Sequence, residues 1–337
     1  MAGVFRDVFL FRDYLRMKAF FLLVSLLAVI LYLMRIFKVI STYPPSFFGV
    51  PSAANLLGGL LFGVGMVLGG GCLISTLYKL GAGSTASCIT FCGVLLGGFV
   101  SAVFYPLIRS FASSTAFLKD KTSLEHIMGS AAAPVLLISL PAIALAWRWA
   151  KTGRWSQRAY ARGYLSLWKA SFMMAFVIAA TVALSGRPLA VSTGFAKLSG
   201  FLGVLFLPVL TGKIAFFRVQ SPRLLYGGIM NGGAGPVVDS VFLTQFPLMA
   251  GVVGGAFISS LRLGEFKVRR LPPARQAFSA FSGGVLMAAG ALTAGGCNLW
   301  HMIGGLPVFA LQSILFVFGA AGGAFLGSVF LRKVVIR

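Results

Sequence analysis

The stretch GGLLFGVGMVLGGGCLISTLYKL, Gly58 to Leu80, returns at an offset of 225 residues as GGVLMAAGALTAGGCNLWHMIGG, Gly283 to Gly305. Under that offset Gly59 falls on Gly284, Gly65 on Gly290, Gly70 and Gly71 on Gly295 and Gly296, and Cys72 on Cys297. Gly97-Gly98 falls on Gly322-Gly323, so the correspondence runs past the motif itself. Small residues recur wherever membrane helices pack closely, which accounts for scattered glycines. It does not account for both runs ending in Gly-Gly-Cys. A glycine-rich helix that stops at a cysteine, present twice in an apolar chain, reads as a pair of broken helices facing one another.

Composition sets the solvent. Charged residues are 10% of the chain and hydrophobic ones 58%, against about 25% charged in soluble domains. The apolar runs are long and do not alternate, so the class is helical rather than a membrane β-barrel. The net charge of +23 sits in short loops between apolar runs. That is the positive-inside pattern of a membrane protein, not a nucleic-acid footprint. Four cysteines without a CxxC pair argue against a disulfide framework and against a zinc ribbon. No signal-peptide cleavage pattern follows the start, and no Walker motif marks an ATPase.

In chain order, Met1 to Lys18 carries two FRD triplets, Phe5-Arg6-Asp7 and Phe11-Arg12-Asp13, and reads as an interfacial segment with local Arg–Asp pairing. Spans are expected at 19–34, 52–72, 85–108, 131–149, 170–184, 199–210 and 242–261. Two more contain the second Gly-Gly-Cys and the stretch 308–331. Ile74–Leu80 and Leu299–Leu306 are too short to cross and read as half-helices. Residues 111–130 read as a polar surface segment, and SGRPLAVSTGFAKL (185–198) as irregular. Lys151 to Lys169 carries five basic residues and no acid, flanked by Trp147, Trp149, Trp155 and Trp168.

The basic stretches 151–169, 213–223 and 262–275, placed inside with both termini, orient the chain if the broken segment 224–240 counts as a crossing. The span ending at Cys72 then runs outward-to-inward and the one ending at Cys297 inward-to-outward. The expectation is an all-α integral membrane protein of about 9–10 transmembrane segments with re-entrant half-helices and an inverted repeat. Repeat one covers about 19–150 and repeat two about 170–332, joined by the basic linker 151–169. Such repeats place their broken elements, and the substrate, near the membrane midplane.

Unwound backbone at that depth must line a polar cavity or be buried in protein. Short helices after each cysteine present free N–H groups, with Ser75 and Thr76 on one side and Asn298 on the other. Helix starts of this kind favour anions, and a cysteine there can donate an S–H hydrogen bond to a soft anion. Lys79, Lys197 and Asp239 are the ionised groups near the broken segments. Little fixed charge suits passage better than tight capture. His301 follows Cys297 by four residues, on the same helical face, where a proton-carrying or metal-ligating role competes with a structural one. Cys88 and Cys92 share a face and read as packing; Met66 is either a soft pathway contact or core.

GVGMVLGGGC…LYKLGAGS and AGGCN…GGLP resemble the two signature stretches of the YeeE/YedE membrane proteins, the sulphur-transport family, and FRDVFLFRDYLRMKA resembles that family's segment after its first helix. The likeness spans nearly the whole chain. It implies uptake of a sulphur oxyanion, thiosulfate in the best-known members, through an hourglass-shaped protein whose cysteines pass the ion along by S–H contacts. Cys72 and Cys297 match the two deeper cysteines of the family. Its third cysteine sits ahead of the FRD segment on an additional N-terminal helix, a position at which this sequence reads Met1-Ala2-Gly3.

The reading is therefore a multi-pass protein of the bacterial inner membrane, both termini cytoplasmic, that transports a small sulphur-containing anion and is not an enzyme. Its pathway comprises Met66, Gly70, Gly71, Cys72, Ser75, Thr76, Gly295, Gly296, Cys297, Asn298 and His301. Partners are the anion, the lipid bilayer and a small sulphur-carrier protein, with no nucleic acid, cofactor or metal. The alternatives are a membrane sulfurtransferase using either cysteine as persulfide carrier, a selenium-related transporter, and a soft-metal transporter with Cys72, Cys297 and His301 as ligands.

Overall fold

The computed structural model describes residues 4–5, 8–9, 13–40, 48–152, 164–219 and 232–335. Most of the FRD repeats, Tyr43-Pro44-Pro45, most of the basic linker and residues 220–231 lie outside the described residues.

The described chain is helical throughout, as its long apolar runs require. Its elements are α1 (Leu15–Ile36), α2 (Ala53–Leu68), α3 (Leu73–Gly81), α4 (Thr85–Val103), α5 (Tyr105–Ser114), α6 (Leu124–Met128) and α7 (Ala132–Lys151). They continue with α8 (Leu167–Ser185), α9 (Ser192–Phe206), α10 (Pro208–Lys213), α11 (Ser240–Arg262), α12 (Ala274–Ala294), the wide turn α13 (Leu299–Gly305) and α14 (Leu311–Phe330). Among the described residues, eight stretches are long and apolar enough to cross a membrane, with α2 and α3 counted together as Ala53–Gly81. At 1.5 Å per residue α1, with 22 residues, rises about 33 Å, enough for the hydrocarbon core.

Four helices form the centre: α2 packs on α14 and α12, and α12 packs on α4. Glycines set the spacing. A Cβ on Gly283 would stand 2.2 Å from the Gly69 nitrogen, and one on Gly59 would stand 2.3 Å from the Phe316 carbonyl. Helices at that distance gain dispersion contacts along their full length, the main source of association in lipid. Gly58 meets Gly290 and Ala294, whereas Gly65 meets Gly283 and Met287, so α2 and α12 are antiparallel. Outside this centre, α1 packs on α8 and α7, α9 on α4, and α11 on α3.

Contacts at the two ends define two faces. On one, Thr85 Oγ1 donates to the Arg270 carbonyl (2.9 Å), and the Tyr164 hydroxyl donates to Glu265 Oε2 (2.5 Å), so the end of the 151–169 linker and the 262–275 loop meet. On the other, the Phe117 amide donates to the Pro51 carbonyl (3.0 Å) and the Leu311 amide to the Thr122 carbonyl (2.9 Å). The 111–130 segment thus lies across the starts of α2 and α14. Arg35 holds it through Glu125 at 2.7 Å.

Several boundaries differ from expectation. The third span ends at Val103 rather than Ile108, because Pro106 sits in the first turn of a new helix and cannot continue the old one. The polar segment 111–130 carries some helix: α5 runs through Ser114 and α6 adds a turn. The expected sixth span at 199–210 is instead α9, which starts at Ser192 inside the stretch read as irregular and stops before Pro208. With 15 residues it is too short to cross. Beyond it Phe217 meets Phe99 and Phe216 meets Tyr105, at the end of α4 remote from Arg270. Lys213 and Arg218 therefore lie on the face opposite the 262–275 loop, not beside it. The described parts of 186–239 leave and re-enter on that one face. Two expected crossings drop out together, and α1 ends and α14 starts on the same face, through Glu125 and Thr122 of the 111–130 segment.

Candidate functional site

Each Gly-Gly-Cys builds its break in the same way. α2 ends at Leu68 and Gly70 takes φ +71; α12 ends at Ala294 and Gly295 takes φ +78. A left-handed residue terminates a helix by turning its next amides back onto the last carbonyls, and glycine adopts it without Cβ strain. The following glycine has a different duty. A Cβ on Gly71 would stand 2.8 Å from Ser75 Oγ, and one on Gly296 would stand 2.3 Å from Trp300 Cδ1. Here the missing side chain makes room for the residue four positions on. The cysteine comes next, where a new helical turn begins.

Cys72 is the N-cap of α3 in extended conformation. Its amide donates to Ser75 Oγ (2.9 Å), while its sulphur lies 3.1 Å from the same hydroxyl. Sulphur and Ser75 thus form a reciprocal capping box in which a thiol takes the place usually held by a hydroxyl. Thr76 is committed to the backbone, its Oγ1 donating to the Cys72 carbonyl at 3.1 Å. Asn298 of the second motif is a neighbour of Cys72, so the residue that follows one cysteine lies near the other.

Cys297 stands in a nest of donors. Leu299 and Trp300, at the start of α13, flank its sulphur, as do Val191 and Ser192. Val191 and Ser192 form the start of α9, so a third broken element converges on the site. Nothing in the motif spacing points to them; the Gly186 and Pro188 interruption upstream is their only sequence signal. Both cysteines are sealed, at 1% and 0% exposure.

Two cavities approach from opposite faces. One, of about 410 Å³, is lined by Met66, Gly70, Gly71, Ser75, Lys79 and Arg16, and opens toward the face of the basic loops. Lys79 also donates to the Gly70 carbonyl. The other, of about 270 Å³, is lined by Gly295, Gly296, Trp300, Ser192, Thr193 and Arg187. Tyr105 and Phe216 place it toward the opposite face. No acidic side chain lines either cavity among the described residues.

The remaining candidates separate. His301 is buried, its Nδ1 is 2.9 Å from Ser313 Oγ, and its ring stacks on Phe316 with centroids 4.3 Å apart. Its backbone amide caps the Cys297 carbonyl at 3.0 Å. Lys197 and Asp239 pair with each other at 2.8 Å. Cys88 and Cys92 are exposed on α4 and not packed in the core, contrary to expectation.

A sequence profile described as "Sulphur transport" matches residues 1–326. A protein described as thiosulfate transporter TsuA from Spirochaeta thermophila is 28% identical over 340 residues, covering 94% of this chain and 89% of that protein.

Proposed function

This chain belongs to the sulphur transport family, and on that premise we propose that it takes thiosulfate into the cell past Cys72, Asn298 and Cys297. It is a multi-pass membrane transporter, not an enzyme. The observation that carries the proposal is the position of two buried thiols, each opening a short helical element, between two cavities that reach in from opposite faces. The identity of the substrate leans on the thiosulfate transporter relative.

In this mechanism the anion leaves water in one cavity and is met by donors at each step. Leu299, Trp300 and Val191 amides and the Cys297 thiol receive it first. Asn298 and the Cys72 thiol hand it on, with Ser75 behind them. Sulphur donors are weak and polarisable, so they match a soft anion without holding it. Gly70, Gly71, Gly295 and Gly296 shape the path, Met66 lines its inner mouth, and Thr76 and His301 support it. The two motifs belong to inverted repeats at about 19–150 and 170–332, joined by the linker 151–169, an assignment supported by the antiparallel packing of α2 on α12. The protein sits in the bacterial inner membrane with both termini cytoplasmic, and a small sulphur-carrier protein receives the ion inside.

The test is growth of a sulphur-uptake-deficient bacterium on thiosulfate as sole sulphur source. The intact chain should rescue growth, and Cys72→Ala and Cys297→Ala should not, at equal membrane abundance. Rescue by both variants would remove the thiols from the mechanism. Failure of the intact chain would point to another sulphur or selenium anion.

A further inference from the structure

We propose that Arg187 is the anion-selecting residue of the outer cavity, holding a small oxyanion by its guanidinium before the ion reaches Cys297. This deepens the transport reading and rests on it. The first argument is placement. Arg187 shares the lining of one 270 Å³ cavity with Gly295 and Gly296, the residues that lead directly into Cys297. An ion seated there is at the threshold of the donor nest.

The second argument is that the backbone carrying this side chain is clamped. Gly186 closes α8 in the left-handed conformation, at φ 64. Ser185 Oγ donates to the Arg187 carbonyl (3.0 Å) and accepts from its amide (3.3 Å). Pro188 then packs on Gly304 of the wide turn, where a Cβ would stand 2.7 Å from the proline. The backbone at Arg187 is thus fixed to both α8 and the second Gly-Gly-Cys hairpin, so the point from which its side chain reaches the cavity is defined in advance. Preorganised donors lose less entropy when a ligand arrives.

The third argument is chemical. A guanidinium stays protonated at any working pH and presents paired N–H groups that match two oxygens of a tetrahedral oxyanion. Ser192 and Thr193 bring hydroxyls into the same lining, at the start of the 15-residue helix α9, whose dipole also favours negative charge. With about 30 Å³ per water, 270 Å³ holds such an ion with part of its hydration shell. The described lining residues include no carboxylate that would repel the ion. The inner cavity has Arg16 and Lys79 instead, and Lys79 is turned onto the Gly70 carbonyl. Arg187 is the basic residue that shares a lining with Gly295 and Gly296, and on that placement selection is assigned to the outer side.

Uptake of radiolabelled thiosulfate by cells carrying the full chain, Arg187→Gln, Arg187→Lys or Cys72→Ala tests this. Arg187→Gln should raise KM about 10- to 100-fold, the loss expected for charged hydrogen bonds. Vmax should stay within about twofold, because binding before the constriction affects the ground state. Arg187→Lys should fall between, and sulfate should compete with thiosulfate less well in Arg187→Gln than in the full chain. An unchanged KM in Arg187→Gln, at normal membrane abundance, would overturn the assignment. If Arg187→Gln does not accumulate, Thr193→Asp decides: a carboxylate in the same cavity should raise KM, and an unchanged KM would overturn the assignment equally. Absence of uptake by the full chain would sink the transport reading itself, a result distinct from either.

Discussion

The hydroxyl of Ser75 accepts the Cys72 amide at 2.9 Å and lies 3.1 Å from the Cys72 sulphur, so one side chain both starts α3 and touches a thiol of the proposed path. The proposed mechanism thus joins helix capping and transport chemistry at this pair.

Ser75→Ala removes both contacts and leaves Cys72 in place. Loss of a capping partner should lower stability by about 1 kcal/mol. Thermal unfolding of the purified protein would register that, while thiosulfate uptake should fall without vanishing. Wild-type uptake in Ser75→Ala would separate the cap from the pathway.

Close backbone packing predicts a contrast between two glycines. Gly283→Ala would drive a methyl against the Gly69 backbone, whereas a Cβ on Gly322 would meet nothing within 4 Å. The first substitution should cost about 1–3 kcal/mol or prevent accumulation in the membrane, and Gly322→Ala should be neutral. Equal stability of the two variants would count against the α2–α12 contact.

Lys197 is fully buried, with its Nζ donating to Asp239 Oδ2 (2.8 Å) and to the Gly235 and Val237 carbonyls (2.7 and 2.9 Å). It pins the 232–239 segment, which supplies Gly233 and Ala234 to the 270 Å³ cavity, onto α9. Lys197→Met strands a carboxylate and should cost about 3–5 kcal/mol, and adding Asp239→Leu should restore part of it. A double variant no more stable than the single one would show that the carbonyl contacts of Lys197 and the amides of Phe242 and Gly233 that Asp239 accepts outweigh the ion pair.

Cys88 and Cys92 lie exposed on α4, away from the donor nest. The double variant Cys88→Ala/Cys92→Ala should keep full growth on thiosulfate. Loss of growth at normal abundance would place these thiols in the mechanism.

Local chemistry makes the broken helices legible. Gly70 and Gly295 adopt the positive φ that a helix-ending glycine before an unwound cysteine calls for, and the half-helix expected at 74–80 is α3 at Leu73–Gly81. The 185–218 region departs from expectation for a local reason too. Its glycines, prolines and scattered basic residues suggest a loop and a short span. Ser192 instead starts a helix that Pro208 ends, and its charges fall on the other face.

The helical membrane class, the two helix breaks and the place of a cysteine after each are legible before any packing is known. These follow from apolar length, from the left-handed freedom of glycine and from the offset of 225 residues, all readable along the chain. It takes packing to bring Asn298 beside Cys72, Val191 and Ser192 beside Cys297, and Arg187 into the cavity lined by Gly295 and Gly296. The reason is physical. In a bilayer the lipid-facing and protein-facing sides of a helix are both apolar, so hydropathy does not say which side turns inward. That choice is made by backbones meeting at glycines far apart in sequence.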